Sequence, residues 1–178
     1  MAHFKKPIIA FTGLAQSGKT TAANAFVSIG YDRMSFAEPI KEMVQCLTPC
    51  LDKNARPPSL CGKTLREVYQ TLGTDWGRKM VGEDIWILAG RARLETLLGD
   101  VESDIIRGIV IDDIRFDNEA ELIRSMGGIV VEITRSSVPQ MEHASEAGIA
   151  CELIDYRFAN EGDISTLQHQ VRDYLLGA

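Results

Sequence analysis

Short apolar runs alternate with stretches of helical period along most of the chain, the pattern of a parallel sheet whose crossovers are helices. Pro7–Thr12 reads as a first strand and Lys19–Ile29 as the helix after it. A short strand at Arg33–Phe36 runs straight into a helix at Glu38–Leu47. Residues 48–63 hold three prolines and two cysteines and read as loop. Thr64-Leu-Arg-Glu67 has the spacing of a capping box, predicting a helix to about Lys79, and a further helix runs from about Asp84 to Leu98. Gly108–Ile111 is an uninterrupted apolar strand and so central. A helix at Asn118–Met126 stops at Gly127-Gly128, and the strand Ile129–Thr134 follows. Residues 136–150 are polar without a clear period. A strand near Asp155–Ala159 and a helix at Ile164–Leu176 complete the pattern.

Between the first strand and first helix lies Gly13-Leu-Ala15-Gln16-Ser17-Gly18-Lys19-Thr20, a full Gly-x4-Gly-Lys-Thr loop in the strand–loop–helix context that motif needs. Its glycines let successive N–H groups turn toward a phosphate, and the helix that begins there adds its positive end. The loop from Gly13 through Thr21 is therefore the expected cradle of a nucleoside triphosphate. Lys19 would reach the β- and γ-phosphates, and Thr20 would offer a hydroxyl to Mg²⁺. The fold expected is α/β, a three-layer P-loop kinase fold over residues 1–178 as one domain. The stretch at about 38–98 is a helical insertion suited to hold an acceptor, and 136–150 is placed to close as a lid.

Composition narrows the partners. The 178 residues are 45% hydrophobic and 25% charged, enough for a sizeable core. A net charge of −6 argues against a broad nucleic-acid surface, so a polyanionic ligand has to be met by locally placed Lys and Arg. No apolar run is long enough to span a membrane, and the N-terminus has no signal-peptide core, so a cytoplasmic location is expected. Cys46, Cys50, Cys61 and Cys151 have the wrong spacing for paired zinc knuckles and read as reduced thiols.

Candidate chemistry gathers at strand ends. Asp112, Asp113 and Arg115 follow the third long apolar run. An Asp there suits Mg²⁺, bound directly or through a water, and Arg115 a phosphate. The pattern leaves open which Asp serves the metal, and whether Asp113 simply pairs with Arg115. Lys41 lies one turn into the helix begun by Glu38-Pro39, in reach of an acceptor phosphate. Arg78 could hold a phosphate as well. Trp76 reads as core, and Trp86 is open between core and a base contact. Arg135 closes the fourth strand, where it could neutralise charge on a transferring group, while His143 and Glu146 read as residues fixing lid geometry.

Assembled in order, these pieces resemble the bacteriophage deoxynucleoside monophosphate kinases. The matching segments are Gly13–Thr20, Ser35-Phe-Ala37 with Lys41, Leu72-Gly-Thr74 with Arg78, Asp84-Ile-Trp86, Asp113-Ile-Arg115-Phe116 with Asn118-Glu119-Ala120, Gly127-Gly128 with Arg135, and His143-Ala-Ser145-Glu146. A more distant likeness is to phosphomevalonate kinases. The resemblance implies ATP as donor, Mg²⁺ as cofactor, and a deoxynucleoside 5′-monophosphate as the small-molecule acceptor. It implies that Lys19 and the loop amides hold ATP and that Thr20 with Asp112 or Asp113 serves the metal. Lys41, Arg78 and Arg115 become acceptor-phosphate ligands, and Trp86 a base contact. Lys19, Arg115, Arg135 and Asp113 form the catalytic set. A kinase of another phosphorylated or hydroxymethylated acceptor, and a nucleotide-binding module without catalysis, remain as alternatives, and a homodimer is left open. A GTPase would need a guanine motif that the sequence lacks.

Overall fold

Five consecutive buried residues, Ile8–Thr12, form β1, at the centre of a five-stranded parallel sheet ordered β2-β3-β1-β4-β5. Its neighbours are β3 (Gly108–Ile111) and β4 (Ile129–Thr134), while β2 (Tyr31–Met34) and β5 (Tyr156–Ala159) lie at the edges. Ile9 pairs with Val110 on one side and Ile129 on the other. Both faces of β1 and β3 are covered, and the continuous apolar composition of those strands follows from that burial. The computed structural model describes residues 7–49, 52–137 and 148–177.

Helices α1 (Lys19–Val27) and α6 (Ile164–Leu176) pack together on one face of the sheet. Ala22, Ala23 and Phe26 of α1, with Leu167, Val171 and Leu175 of α6, close over Ile9, Phe11, Val110, Val131, Ile133 and Phe158. The alanines let α1 approach the strands closely, and Phe26 sits between the rings of Phe11 and Tyr31, with centroids 5.9 and 5.4 Å away. Helix α5 (Asp117–Ser125) lies against β1 and β4, its Ile123 beside Ile8, whose side chain points to the opposite face from that of Ile9. Helix, sheet and helix make three layers.

The polypeptide divides into two compact units, one of residues up to Ser35 and from Arg91 onward, the other Phe36–Gly90. The second unit covers most of the insertion expected from sequence. It contains α2 (Glu38–Gln45), a single 3₁₀ turn at Pro58–Leu60, α3 (Leu65–Gln70) and the start of α4 (Ile85–Glu102), which continues into the first unit. Val44, Leu60 and Leu65 are its buried centre, with Val68, Tyr69 and Leu72 against them. The capping box forms as its spacing predicts. The Glu67 N–H donates to Thr64 Oγ1 at 3.1 Å, and the Thr64 N–H donates to Glu67 Oε2 at 2.7 Å. Those bonds from Thr64 hold the Glu67 carboxyl below its ordinary range.

Three expectations are corrected. The second strand lies at Tyr31–Met34 and not Arg33–Phe36, because its partner β3 is four residues long and Tyr31 pairs with Gly108, so pairing ends at Met34 with Ile111. The helix expected to run to Lys79 is α-helical only to Gln70 and continues as a π-helix over Thr71–Val81. Trp76, read as core, is 37% exposed, while Trp86, which the sequence left open between core and a base contact, is 6% exposed.

Trp86 explains how the wide turn is held. Its Nε1–H donates to the Gly73 carbonyl at 2.7 Å, and its ring lies where a side chain at Gly77 would have to go. A Cβ at Gly77 would sit 2.6 Å from the ring. Gly77→Ala should therefore overpack this unit and lower its stability by roughly 1–3 kcal/mol. A shift in the urea midpoint, followed by the fluorescence of the two tryptophans, measures the loss. An unchanged midpoint would mean that Trp86 moves aside without penalty.

Candidate active site

Two glycines shape the loop between β1 and α1. Gly13 has φ +130°, and a Cβ there would come 2.2 Å from the carbonyl oxygen of Ile133 at the end of β4. Gly18 has φ +111°, and a Cβ there would come 2.5 Å from Asn160 Nδ2, just past β5. Neither position has room for a side chain, and neither backbone suits one. The loop is thus wedged against the carboxyl ends of β4 and β5. Helix α1 starts at Lys19 with no acidic residue in its first turn, so its N–H groups and dipole remain available to an anion. Lys19 Nζ arches back to donate to the carbonyls of Gly13 at 2.8 Å and Leu14 at 2.6 Å. This is a backbone nest with one cation over it, the geometry that binds a nucleotide's terminal phosphates.

The carboxylates after β3 divide their partners. Thr20 Oγ1 donates to Asp112 Oδ2 at 2.8 Å, bringing a hydroxyl and a carboxylate together beside the loop. Ser35 Oγ, buried at the end of β2, donates to Asp113 Oδ2 at 2.5 Å. An oxygen pair such as Thr20 and Asp112 fits Mg²⁺, which binds through one or two protein oxygens and completes its shell with water and phosphate. Arg115, two residues further on, has its backbone fixed by Glu119. The Glu119 carboxylate is 4% exposed and accepts from the N–H of Arg115 at 2.8 Å and of Phe116 at 3.3 Å.

Across the loop from these carboxylates, the turn Asn160–Asp163 forms the other wall. Asn160 Nδ2 donates to the Ser17 carbonyl at 2.8 Å. Both oxygens of Glu161 accept from Ser136, from its N–H at 2.9 Å and its hydroxyl at 2.8 Å, and these bonds hold the Glu161 carboxyl below its ordinary range. Asp163 caps α6 by accepting from the Thr166 N–H at 2.7 Å. An open cavity of about 810 Å³ lies here, lined by Gln16, Lys19, Thr20, Arg135, Asn160 and Ile164 among others. It adjoins the phosphate nest and has both a cation and an aliphatic side chain on its walls.

The first unit therefore gathers the loop from Gly13 to Thr21, Asp112 and Arg135 about the carboxyl edge of its sheet. Asp113 and Arg115 lie on the same segment as Asp112. Lys41, Arg78 and Trp86 belong to the second unit. There Lys41 Nζ stands 3.8 Å from Glu38 Oε2, and Arg78 Nη1 donates to the Glu83 carbonyl at 3.0 Å. His143, Ser145, Glu146 and most of the expected lid lie outside the described residues. Sequence reading gave no role to Ser35, Asn160 or Glu161. A side chain holding a carbonyl 143 residues away leaves no local signal.

Comparison with solved structures finds the same fold in a dephospho-CoA kinase from Campylobacter jejuni, with TM-score 0.51 and 15% identity over 95% of each chain. TT1252 from Thermus thermophilus superposes with TM-score 0.51 and 18% identity over 94% of this chain and 95% of that one. Sheet order, loop and neighbours together define a P-loop kinase fold. The sequence profile of the family "Deoxynucleotide monophosphate kinase" matches residues 62–171, and the chain belongs to that family. A putative deoxynucleotide monophosphate kinase of Acanthamoeba polyphaga mimivirus is 30% identical over 158 residues, covering 78% of this chain and 80% of that protein. The deoxynucleoside-5′-monophosphate kinase of Escherichia phage T5 is 30% identical over 118 residues, 61% of this chain. The match spans only 44% of the T5 protein's length.

Glu119 gives a test of this local architecture that needs no substrate. Glu119→Ala removes the acceptor for two backbone N–H groups and should cost roughly 1–3 kcal/mol of stability, read by thermal unfolding. Retention of the parent melting temperature would show that water replaces the carboxylate and that Arg115 is fixed by other means.

Proposed function

We propose that this protein transfers the γ-phosphoryl group of ATP to a deoxynucleoside 5′-monophosphate, giving the diphosphate and ADP. The observation that carries the proposal is the Thr20–Asp112 pair beside a phosphate nest capped by Lys19, in a chain of the deoxynucleotide monophosphate kinase family. The names of the mimivirus and T5 relatives support the acceptor class.

In this reading the amides from Gly13 to Thr20 hold the donor's β-phosphate. The base side of ATP enters the cavity bounded by Arg135, Asn160 and Ile164. Thr20 and Asp112 would hold Mg²⁺, which supplies charge neutralisation to the β- and γ-phosphates. The acceptor's own phosphate oxygen attacks the γ-phosphorus, and the bond from that phosphorus to the β–γ bridging oxygen breaks. The acceptor is already ionised near neutral pH, so the reaction needs positioning and charge stabilisation more than a base. Lys19 would leave the Gly13 and Leu14 carbonyls to follow the transferring group, and Arg135 would neutralise charge from the open side. Asp113, oriented by Ser35, and Arg115, oriented through Glu119, would face the acceptor. The family resemblance extends the proposal to Lys41 and Arg78 as acceptor-phosphate ligands and to Trp86 as a base contact.

Release of ADP across a panel of deoxynucleoside monophosphates, ribonucleotides and mevalonate 5-phosphate tests the acceptor class. Deoxynucleoside monophosphates should give the highest kcat/KM. Lys19→Ala should lower turnover with the best acceptor by roughly 10²-fold or more, because charge stabilisation dominates this chemistry. ADP release only with mevalonate 5-phosphate would replace the acceptor, and ATP binding without ADP release from any acceptor would replace the class.

A further inference from the structure

The turn after β5 does more than line the cavity. Asn160 is 8% exposed, and its two ends are both engaged: its backbone N–H donates to the Thr134 carbonyl at 2.8 Å, and its side-chain Nδ2 to the Ser17 carbonyl at 2.8 Å. The first bond ties the residue to the end of β4, and the second crosses to the phosphate loop. A trans peptide points its C=O and the following N–H in opposite directions. Holding the Ser17 carbonyl toward Asn160 therefore turns the Gly18 N–H away from Asn160. The approach is close enough that only a glycine fits at position 18, with its would-be Cβ 2.5 Å from Nδ2 and 3.1 Å from Leu167 Cδ2.

The Ser17 hydroxyl takes no part in this arrangement. Its Oγ is buried with no hydrogen-bond partner among the described residues, so what the loop offers Asn160 at this position is the backbone carbonyl. A second brace runs parallel from α6, where Gln168 Nε2 donates to the Thr21 carbonyl at 3.1 Å. That bond is longer and falls inside α1, beyond the loop.

We infer that Asn160 is a positioning residue for the phosphate loop: its amide sets the Ser17–Gly18 peptide, and through it the affinity of the nest for the donor's phosphates. The inference rests on the donor-site reading proposed above. It separates Asn160 from a base contact, the other role open to a residue on that cavity wall. A residue acting on the loop changes affinity for any polyphosphate, with or without a base. A residue touching the base changes affinity for nucleotides alone.

The experiment compares the full chain with Asn160→Ala and Asn160→Ser, first by thermal unfolding and then by calorimetric titration with ATP and with inorganic tripolyphosphate. Loss of a buried hydrogen bond of this kind should weaken both ligands by about tenfold and in parallel. In steady-state assays KM for ATP should rise with it, while KM for the acceptor stays within about twofold. Asn160→Ser, which keeps a shorter polar group, covers the case in which the alanine variant does not fold. Weakened ATP with unchanged tripolyphosphate would overturn the inference in favour of a base contact. Unchanged affinity for both, with only a lower melting temperature, would reduce Asn160 to a structural residue. Failure of the parent protein to bind either ligand would instead contradict the donor-site reading itself.

Discussion

Everything in the first unit depends on how closely the loop between β1 and α1 approaches the ends of its neighbouring strands. With 2.2 Å from Gly13's would-be Cβ to the Ile133 carbonyl, the loop is pressed against β4. With 2.5 Å from that of Gly18 to Asn160, it is pressed against the turn after β5. That tightness restricts the loop backbone, and a restricted backbone has less conformational freedom to lose when an anion binds. It also fixes where the other chemistry can stand. Asp112 meets Thr20 because β3 lies beside β1, and Arg135 lines the same cavity because β4 lies on the other side. Strand order is in this sense part of the site.

The second unit follows different physics. Its centre is small, built on Val44, Leu60 and Leu65, and its backbone includes a π-helix of eleven residues. Such a turn is wide and poorly packed by itself, and π geometry is seldom kept without a local reason. Here a tryptophan supplies one, filling the space over Gly77 and bonding the Gly73 carbonyl. Arg78 and the exposed Trp76 are presented from that segment, so their directions follow from the π register and not from an α-helix.

What could be read from sequence follows from the range of each interaction. The phosphate loop, the capping box at Thr64 and the central strands are local patterns, and each forms where its residues predict. The candidate residues Lys19, Thr20, Asp112 and Arg135 were legible because a parallel sheet sends its carboxyl ends to one edge. The second strand slipped by two residues because its limits are set by the length of β3, which its own sequence does not carry. The π-helix leaves no separate mark in the sequence because its helical content looks the same over a few residues, and the indole that holds it comes from another helix. Glu119, Ser35 and Asn160 act on backbone or carboxylate groups brought near by the fold, so their chemistry appears only once distances are known.

The central claim is that this edge moves a phosphoryl group between two bound nucleotides. Phosphorus NMR on a reaction of ATP, Mg²⁺ and a deoxynucleoside monophosphate follows that group directly. The account predicts that the γ-phosphate signal of ATP is replaced by the β-phosphate signal of a deoxynucleoside diphosphate, with ADP in equal amount and little inorganic phosphate. Accumulation of inorganic phosphate with the monophosphate unchanged would contradict it.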